Sequence, residues 1–501
     1  MHPDNVPDQP GKLVDQHNTL VDQHRTLVDK QKTLVMKFGG TSVGSAEAID
    51  QAVQIVFDAH QDWPRLVVVT SAMAGVTNLL LESAALAIRG ETHAIDQAAM
   101  QLRRMHYSVV DELLPEGSQH AKVKLAIDRL IADFSSLSQA IAVLGEATPR
   151  AMDALASLGE RLSVRLLAAA IATRGVPAQF VEANHLIVTD RVFQAAHPDL
   201  EATRLRSKQV LEPLLDQGIT PVVTGFLAAA EDGVTTTLGR GGSDYSAAII
   251  GAVLPAYEVW IWTDVDGVMT ADPRLVPNAR TIPTLSYREI GELAYFGAKV
   301  VHPKTIRPVI EAGIGLRVCN TFNPGLDGTR IVMEGYSQGN GAIKAVTAIR
   351  QQSLITLEGR GMLGVVGVAA RTFGAVAATG VSVPLITQAS SEQSICFAVP
   401  VEAAERVMGG LEAAFASELQ RRDIDRIWAS DEVVIITVVG SGMRNTPGIS
   451  GRIFGALGVH GVNVIAIAQG STEVSISLVV DAGDAEEAVR ALHELIVVPT
   501  N

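Results

Sequence analysis

The sequence predicts an α/β protein: a three-layer α/β/α domain on a mostly parallel central sheet, followed by two small α+β modules. Two observations carry this expectation. From residue 34 to about 340, short apolar strand-like runs alternate with alanine- and leucine-rich helical stretches, the pattern of parallel strands joined by helical crossovers. In the C-terminal third, Gly361-Met362, Gly367, Arg371, Phe373-Gly374-Ala375, Gly380 and Gln388 recur 81 residues later as Gly442-Met443, Gly448, Arg452, Phe454-Gly455-Ala456, Gly461 and Gln469. Each copy reads as a loop, an amphipathic helix and Val/Ile-rich strands, so one small unit is present twice.

Composition bounds the rest. At 501 residues and 47% hydrophobic content the chain can fill roughly three domain cores. A formal net charge of −14 argues against a nucleic-acid or membrane-surface partner, so phosphate chemistry here must use local cations. Cys319 and Cys396 are the only cysteines; they cannot build a disulfide framework and lack metal-type spacing, which suits a reducing compartment. Runs such as Leu66–Val69 are too short to span a bilayer, and the N-terminus lacks a signal-peptide pattern. A cytoplasmic protein is expected.

The expected domains are an extension over 1–32, a catalytic domain over 33–340, and modules over 343–430 and 431–501. Within the extension, Thr19-Leu20-Val21-Asp22 recurs as Thr26-Leu27-Val28-Asp29 and Thr33-Leu34-Val35. Its adjacent Leu-Val pairs do not form a coiled-coil seam, so a flexible segment dispensable for activity is expected. The last copy opens the first strand, Leu34-Val35-Met36. After it comes Lys37-Phe38-Gly39-Gly40-Thr41-Ser42, with Ser45 capping a helix from Ala46 to about Ala59. A fixed cation beside a glycine turn at a helix N-terminus suits phosphate. The spacing matches neither the Walker loop nor the dinucleotide fingerprint.

Further strands are expected at Leu66–Thr70, Ala178–Glu182, Pro221–Thr224 and Trp260–Thr263, with a helix over Met152–Ala172. Three loops follow such strands, where a parallel sheet gathers its ligands. Ser71-Ala72-Met73-Ala74-Gly75-Val76-Thr77-Asn78 offers hydroxyls and an amide. Thr235–Asp244 contains Gly239-Arg240-Gly241-Gly242-Ser243-Asp244, where Arg240 can fork onto a carboxylate while glycine amides meet another anion. Thr263-Asp264-Val265-Asp266 has acidic spacing superficially like a calcium loop, but the later ligands and the closing glutamate of an EF-hand are absent.

Together with Phe296–Pro303, these stretches resemble the aspartate kinases of the amino acid kinase superfamily over nearly everything after residue 33. The resemblance implies MgATP and L-aspartate as substrates, the side-chain carboxylate taking the γ-phosphoryl group to give 4-phospho-L-aspartate. It implies catalytic roles for Lys37, Arg240, Asp244 and Lys299. ATP contacts fall on Lys37, Phe38, Gly39, Gly40, Thr263, Asp264, Met269, Arg274, Lys299 and Val300, and aspartate contacts on Thr41, Ser71, Thr77, Glu160, Arg240 and Ser243. Magnesium arrives with ATP rather than on a side-chain site. Met269 departs from the family's common tyrosine, and its thioether can still pack against adenine.

The duplicated modules resemble ferredoxin-like ACT domains, which bind amino acids and regulate biosynthetic enzymes. The segments around Ile386, Gln388, Ile467 and Gln469 look most like the kinase portion of threonine-sensitive aspartokinase–homoserine dehydrogenases, implying threonine as effector, with lysine second. A homodimer or larger homo-oligomer is implied, and the dehydrogenase half is expected to be missing. The alternative in another class is a catalytically inactive amino-acid sensor.

Overall fold

The computed structural model describes residues 32–297, 301–333, 343–388 and 393–496. The N-terminal repeat up to residue 31, and Lys299 and Val300, lie outside the described residues. The chain forms two compact units, Met1–Gly267 with Val301–Arg330, and Val268–Val300 with Ile331–Asn501.

The first unit is built on β1 (Thr33–Phe38), β2 (Arg65–Thr70), β3 (Ala178–Val181), β4 (Thr220–Thr224), β5 (Glu258–Thr263) and β6 (Gly315–Asn320). They run β6-β5-β1-β2-β4-β3, every pair parallel. β1 lies at the centre, with Lys37 opposite Val69 on one side and Ile261 on the other. Every residue of β1 is buried, which explains its unbroken apolar run: strands covered on both faces need no alternation.

Around the sheet pack α1 (Ala46–Asp62), α2 (Val76–Ile88), α3 (His93–Leu113), α4 (Ser118–Leu144), α5 (Pro149–Thr173), α6 (Leu200–Asp216), α7 (Gly242–Val253) and α8 (Pro303–Ala312). α1 starts where its cap predicts, the Ala48 N–H donating to Ser45 Oγ at 3.2 Å, and runs one turn beyond Ala59. Thr148 caps α5 in the same way, with Pro149 in its first turn. A second, four-stranded sheet joins Pro198–Asp199, Val188–Thr189, Leu227–Ala230 and Thr235–Thr237 in that order. Its two- to four-residue strands are too short to show a period in sequence.

The second unit centres on an antiparallel sheet of β7 (Ala345–Glu358), β8 (Ile386–Gln388), β9 (Ser394–Pro400), β10 (Arg426–Val439), β11 (Ala466–Gln469) and β12 (Ser475–Asp481), ordered β8-β9-β7-β10-β12-β11. The repeat is structural: helices Val368–Ala378 and Ile449–Val459 begin after Gly367 and Gly448, both left-handed at φ 90° and 84°. Only glycine takes that conformation without strain. Met362 and Met443 are buried at equivalent places.

Contacts divide the chain differently from the expected 33–340 and 343–501 segments. Residues 268–300 belong to the second unit, because Ala271 and Val276 sit in one core with Val434, Ile436, Leu478 and Leu492. The fully buried Glu289 carboxylate pins the same segment. It accepts from Lys344 Nζ at 2.9 Å, from the Ser441 N–H at 2.8 Å and from Ser441 Oγ at 2.6 Å. Burial alone would raise its pKa, but the Lys344 charge and these donors outweigh it and hold the carboxyl below its ordinary value.

Candidate active site

In the first unit, the C-terminal ends of the central strands open into a cavity of about 600 Å³. β1 delivers Lys37, α5 delivers Asp153 and Glu160, and the N-terminal turns of α2 and α7 supply Thr77, Asn78, Ser243 and Asp244. Two helix N-termini at one cavity give unpaired backbone N–H groups and a favourable field for an anion.

Lys37 is 7% exposed, and its Nζ lies 2.5 Å from Asp244 Oδ1. The lack of a side chain at Gly40 lets the first turn close on the loop after β2: a Cβ there would come within 3.1 Å of the Ala72 carbonyl oxygen. Arg240 lines the cavity, and among the described residues its guanidinium makes no hydrogen bond or ion pair. Glu160 is 4% exposed. The Ala72 N–H donates to its Oε1 at 3.2 Å, while Oε2 has no partner among the described residues. Burial pushes its pKa up to about 8, opposed by the Ala72 N–H and, less, by the Lys37 charge.

A guanidinium unpaired among the described residues, a buried carboxyl and a lysine beside two helix N-termini thus share one cavity. In sequence comparison, residues 32–320 match the amino acid kinase family, and 355–415 and 436–495 each match the ACT domain. The chain belongs to the amino acid kinase family. Its relatives are aspartokinases. It is 38% identical over 467 residues to a bifunctional aspartokinase/homoserine dehydrogenase of Haemophilus influenzae, covering 92% of this chain and 56% of that protein. It is 33% identical to aspartokinase 1 of Arabidopsis thaliana, covering 92% and 79%. Escherichia coli aspartokinase III, solved with aspartate and ADP, superposes with a TM-score of 0.77 at 30% identity, over 93% of this chain and 99% of that one. The chain spans about half the length of the bifunctional relatives it matches.

In this amino acid kinase the expected residues fall into groups. Lys37, Gly40, Ser71, Thr77, Glu160, Arg240, Ser243 and Asp244 all line the cavity. Phe38 does not: its ring is fully buried and stacks on Trp262 with centroids 6.1 Å apart. The Gly39 N–H is likewise taken, donating to the Trp262 carbonyl at 3.0 Å. Thr41 is exposed in the turn after it, outside the lining. Thr263 ends β5 and donates to Asp264 Oδ1 at 3.2 Å, again off this cavity. Met269 and Arg274 lie in the second unit, where Thr281 Oγ1 donates to the Met269 sulfur and Arg274 pairs with Asp272 at 2.6 Å. Six lining residues escaped the sequence reading: Leu81, Met152, Asp153, Ala156, Gln194 and Phe226. For Asp153 a signal existed, since it precedes Glu160 by two helical turns on one face of α5.

In the second unit, Ile386 and Gln388 lie on β8, and Ile467 and Gln469 on β11, all four exposed. These outer strands of the sheet approach one another. Among the described residues no group of three or more His, Cys, Asp or Glu side chains could hold a metal, and no helix is long and apolar enough to cross a membrane.

Proposed function

We propose that the protein is an aspartate kinase that transfers the γ-phosphoryl group of MgATP to the side-chain carboxylate of L-aspartate, the step that commits aspartate to lysine, threonine and methionine synthesis. The observation that carries this is the presence, in one cavity, of the Arg240 guanidinium, unpaired among the described residues, and the half-satisfied, buried Glu160 carboxyl. An α-amino acid presents one group for each: the carboxylate forks onto Arg240 and the ammonium ion-pairs with Glu160 Oε2. The ADP and aspartate bound to aspartokinase III support the same choice.

The chemistry asks little of the protein beyond placement. An aspartate side chain, with an ordinary pKa of about 3.9, is already a nucleophilic carboxylate at neutral pH, so no general base is required. Lys37 spreads positive charge over the transferring phosphoryl group, and Asp244 fixes the direction of its Nζ. The helix N-termini at Thr77 and Ser243 meet the remaining negative charge. Magnesium enters with the nucleotide as part of the substrate. Gly40, Thr41, Thr263 and Asp264 complete the substrate and nucleotide contacts in this reading.

The paired ACT domains support feedback by an amino acid; a related structure, aspartokinase III, was solved with lysine. We assign threonine to this chain, held by the side-chain amides of Gln388 and Gln469 in a homo-oligomer of at least two subunits. A lysine ammonium would want a carboxylate, which neither residue offers. The test is ADP release from MgATP with L-aspartate, L-glutamate or N-acetyl-L-aspartate as acceptor. The first should support turnover and the others little or none. N-acetyl-L-aspartate working as well as aspartate would remove the role of Glu160.

A further inference from the structure

Gln194 holds a left-handed backbone at φ 68° and lines the cavity. A residue with a Cβ pays for that conformation, which persists only where its surroundings hold it. What holds it is Asp153. The Gln194 N–H donates to both carboxylate oxygens, at 3.1 and 3.0 Å. The same carboxylate takes the Thr237 N–H at 3.0 Å and Thr237 Oγ1 at 2.8 Å. Asp153 is 1% exposed and has no ion-pair partner among the described residues, so neutral donors from two separate segments satisfy it.

Both segments bear on the arginine loop. Thr237 is its stem, three residues before Arg240. Gln194 is its wall: a Cβ on Gly239, itself left-handed at φ 77°, would lie 2.7 Å from the Gln194 carbonyl oxygen. Only glycine therefore fits at 239 beside Gln194, and Gln194 stands there because Asp153 holds its amide. We infer that Asp153 is a positioning residue for Arg240, clamping the strained Gln194 and the Thr237 stem so that the guanidinium meets the substrate carboxylate in one fixed place. This rests on the aspartate kinase reading for the identity of that carboxylate.

The experiment compares wild type, D153N, Q194G, D153N/Q194G and G239A for KM of aspartate, KM of MgATP and heat-unfolding midpoint. Asparagine at 153 turns one acceptor oxygen into a donor facing N–H groups. D153N should raise the aspartate KM at least tenfold and leave the MgATP KM within twofold. Glycine at 194 adopts the left-handed backbone unaided, so in Q194G the effect of D153N on the aspartate KM should shrink at least threefold. Equal rises in both KM values, or an undiminished effect of D153N in Q194G, would overturn the assignment. Should D153N fail to fold, G239A carries the test, and a G239A enzyme without the split between the two KM values overturns it equally. If wild type turns over no aspartate, the kinase reading fails by itself. The clamp is then judged by unfolding: D153N must lower the midpoint less in Q194G than in wild type, and equal losses refute it.

Discussion

Lys37 Nζ sits 2.5 Å from Asp244 Oδ1, joining the central strand of the parallel sheet to the first turn of α7. Sequence distance hides this contact, since more than two hundred residues separate the partners. It holds a buried cation in the cavity wall. Both partners are mostly shielded from solvent, so removing either leaves the other charge poorly compensated.

Lys37→Ala should therefore cut kcat by about a thousandfold or more, the usual scale for losing a preorganised charge at a reacting group. Asp244→Asn should keep the cation but free its direction, with a smaller loss of about ten- to a hundredfold by the same principle. Steady-state kinetics with circular dichroism separates these outcomes from unfolding. Near-normal kcat in Lys37→Ala would remove the lysine from the phosphoryl site.

Glu160 gives a pH signature. Its folded pKa of about 8 lies above the ordinary 4.5, because burial disfavours the charged form. An acid whose pKa is raised by folding costs stability as pH climbs from the unfolded toward the folded value, so the unliganded protein should lose stability between about pH 4.5 and 8. If the Glu160 carboxylate holds the ammonium of aspartate as proposed, the aspartate KM should fall as pH rises toward 8. In Glu160→Gln both trends should flatten while the aspartate KM rises at all pH values. A pH dependence unchanged by that substitution would contradict the assignment.

Glu289 behaves oppositely in the second unit. Despite burial, Lys344 and the Ser441 donors hold its pKa below the ordinary 4.5. Its contribution is present above the unfolded value and is lost as pH falls through the folded one. Lys344→Met should cost about 3 kcal/mol, the scale for orphaning a buried charge, and raise the pH at which the unit unfolds in acid. Denaturant titrations at pH 7 and below pH 5 check both.

Gln388→Ala and Gln469→Ala should each raise the threonine concentration for half-maximal effect by about tenfold, equivalent to roughly 1.4 kcal/mol of lost amide hydrogen bonding. Calorimetry with threonine and with lysine reads this directly. Tight lysine binding lost in either variant would replace threonine as the effector.

The parts legible in sequence were those with a local signature. Continuous apolar runs marked β1, β2 and β5, Ser45 marked the start of α1, and the repeated Gly-Met and Phe-Gly-Ala marked the duplicated modules. Residues from Lys37 to Asp244 entered one cavity because parallel strands end on the same side. What escaped was set by contacts between distant segments. Asp153 gains its meaning only from Gln194 and Thr237, and Phe38 turns to the core because Trp262 lies beside it. Residues 268–300 leave the first unit through Glu289 and a few apolar anchors that no local period reveals.

The most direct test of the account is trapping the product with hydroxylamine. Purified protein with MgATP and L-aspartate should form aspartyl hydroxamate in step with ADP, and Lys37→Ala should abolish both. ADP release without hydroxamate, or hydroxamate formation that survives Lys37→Ala, would contradict phosphoryl transfer to the aspartate side chain at this cavity.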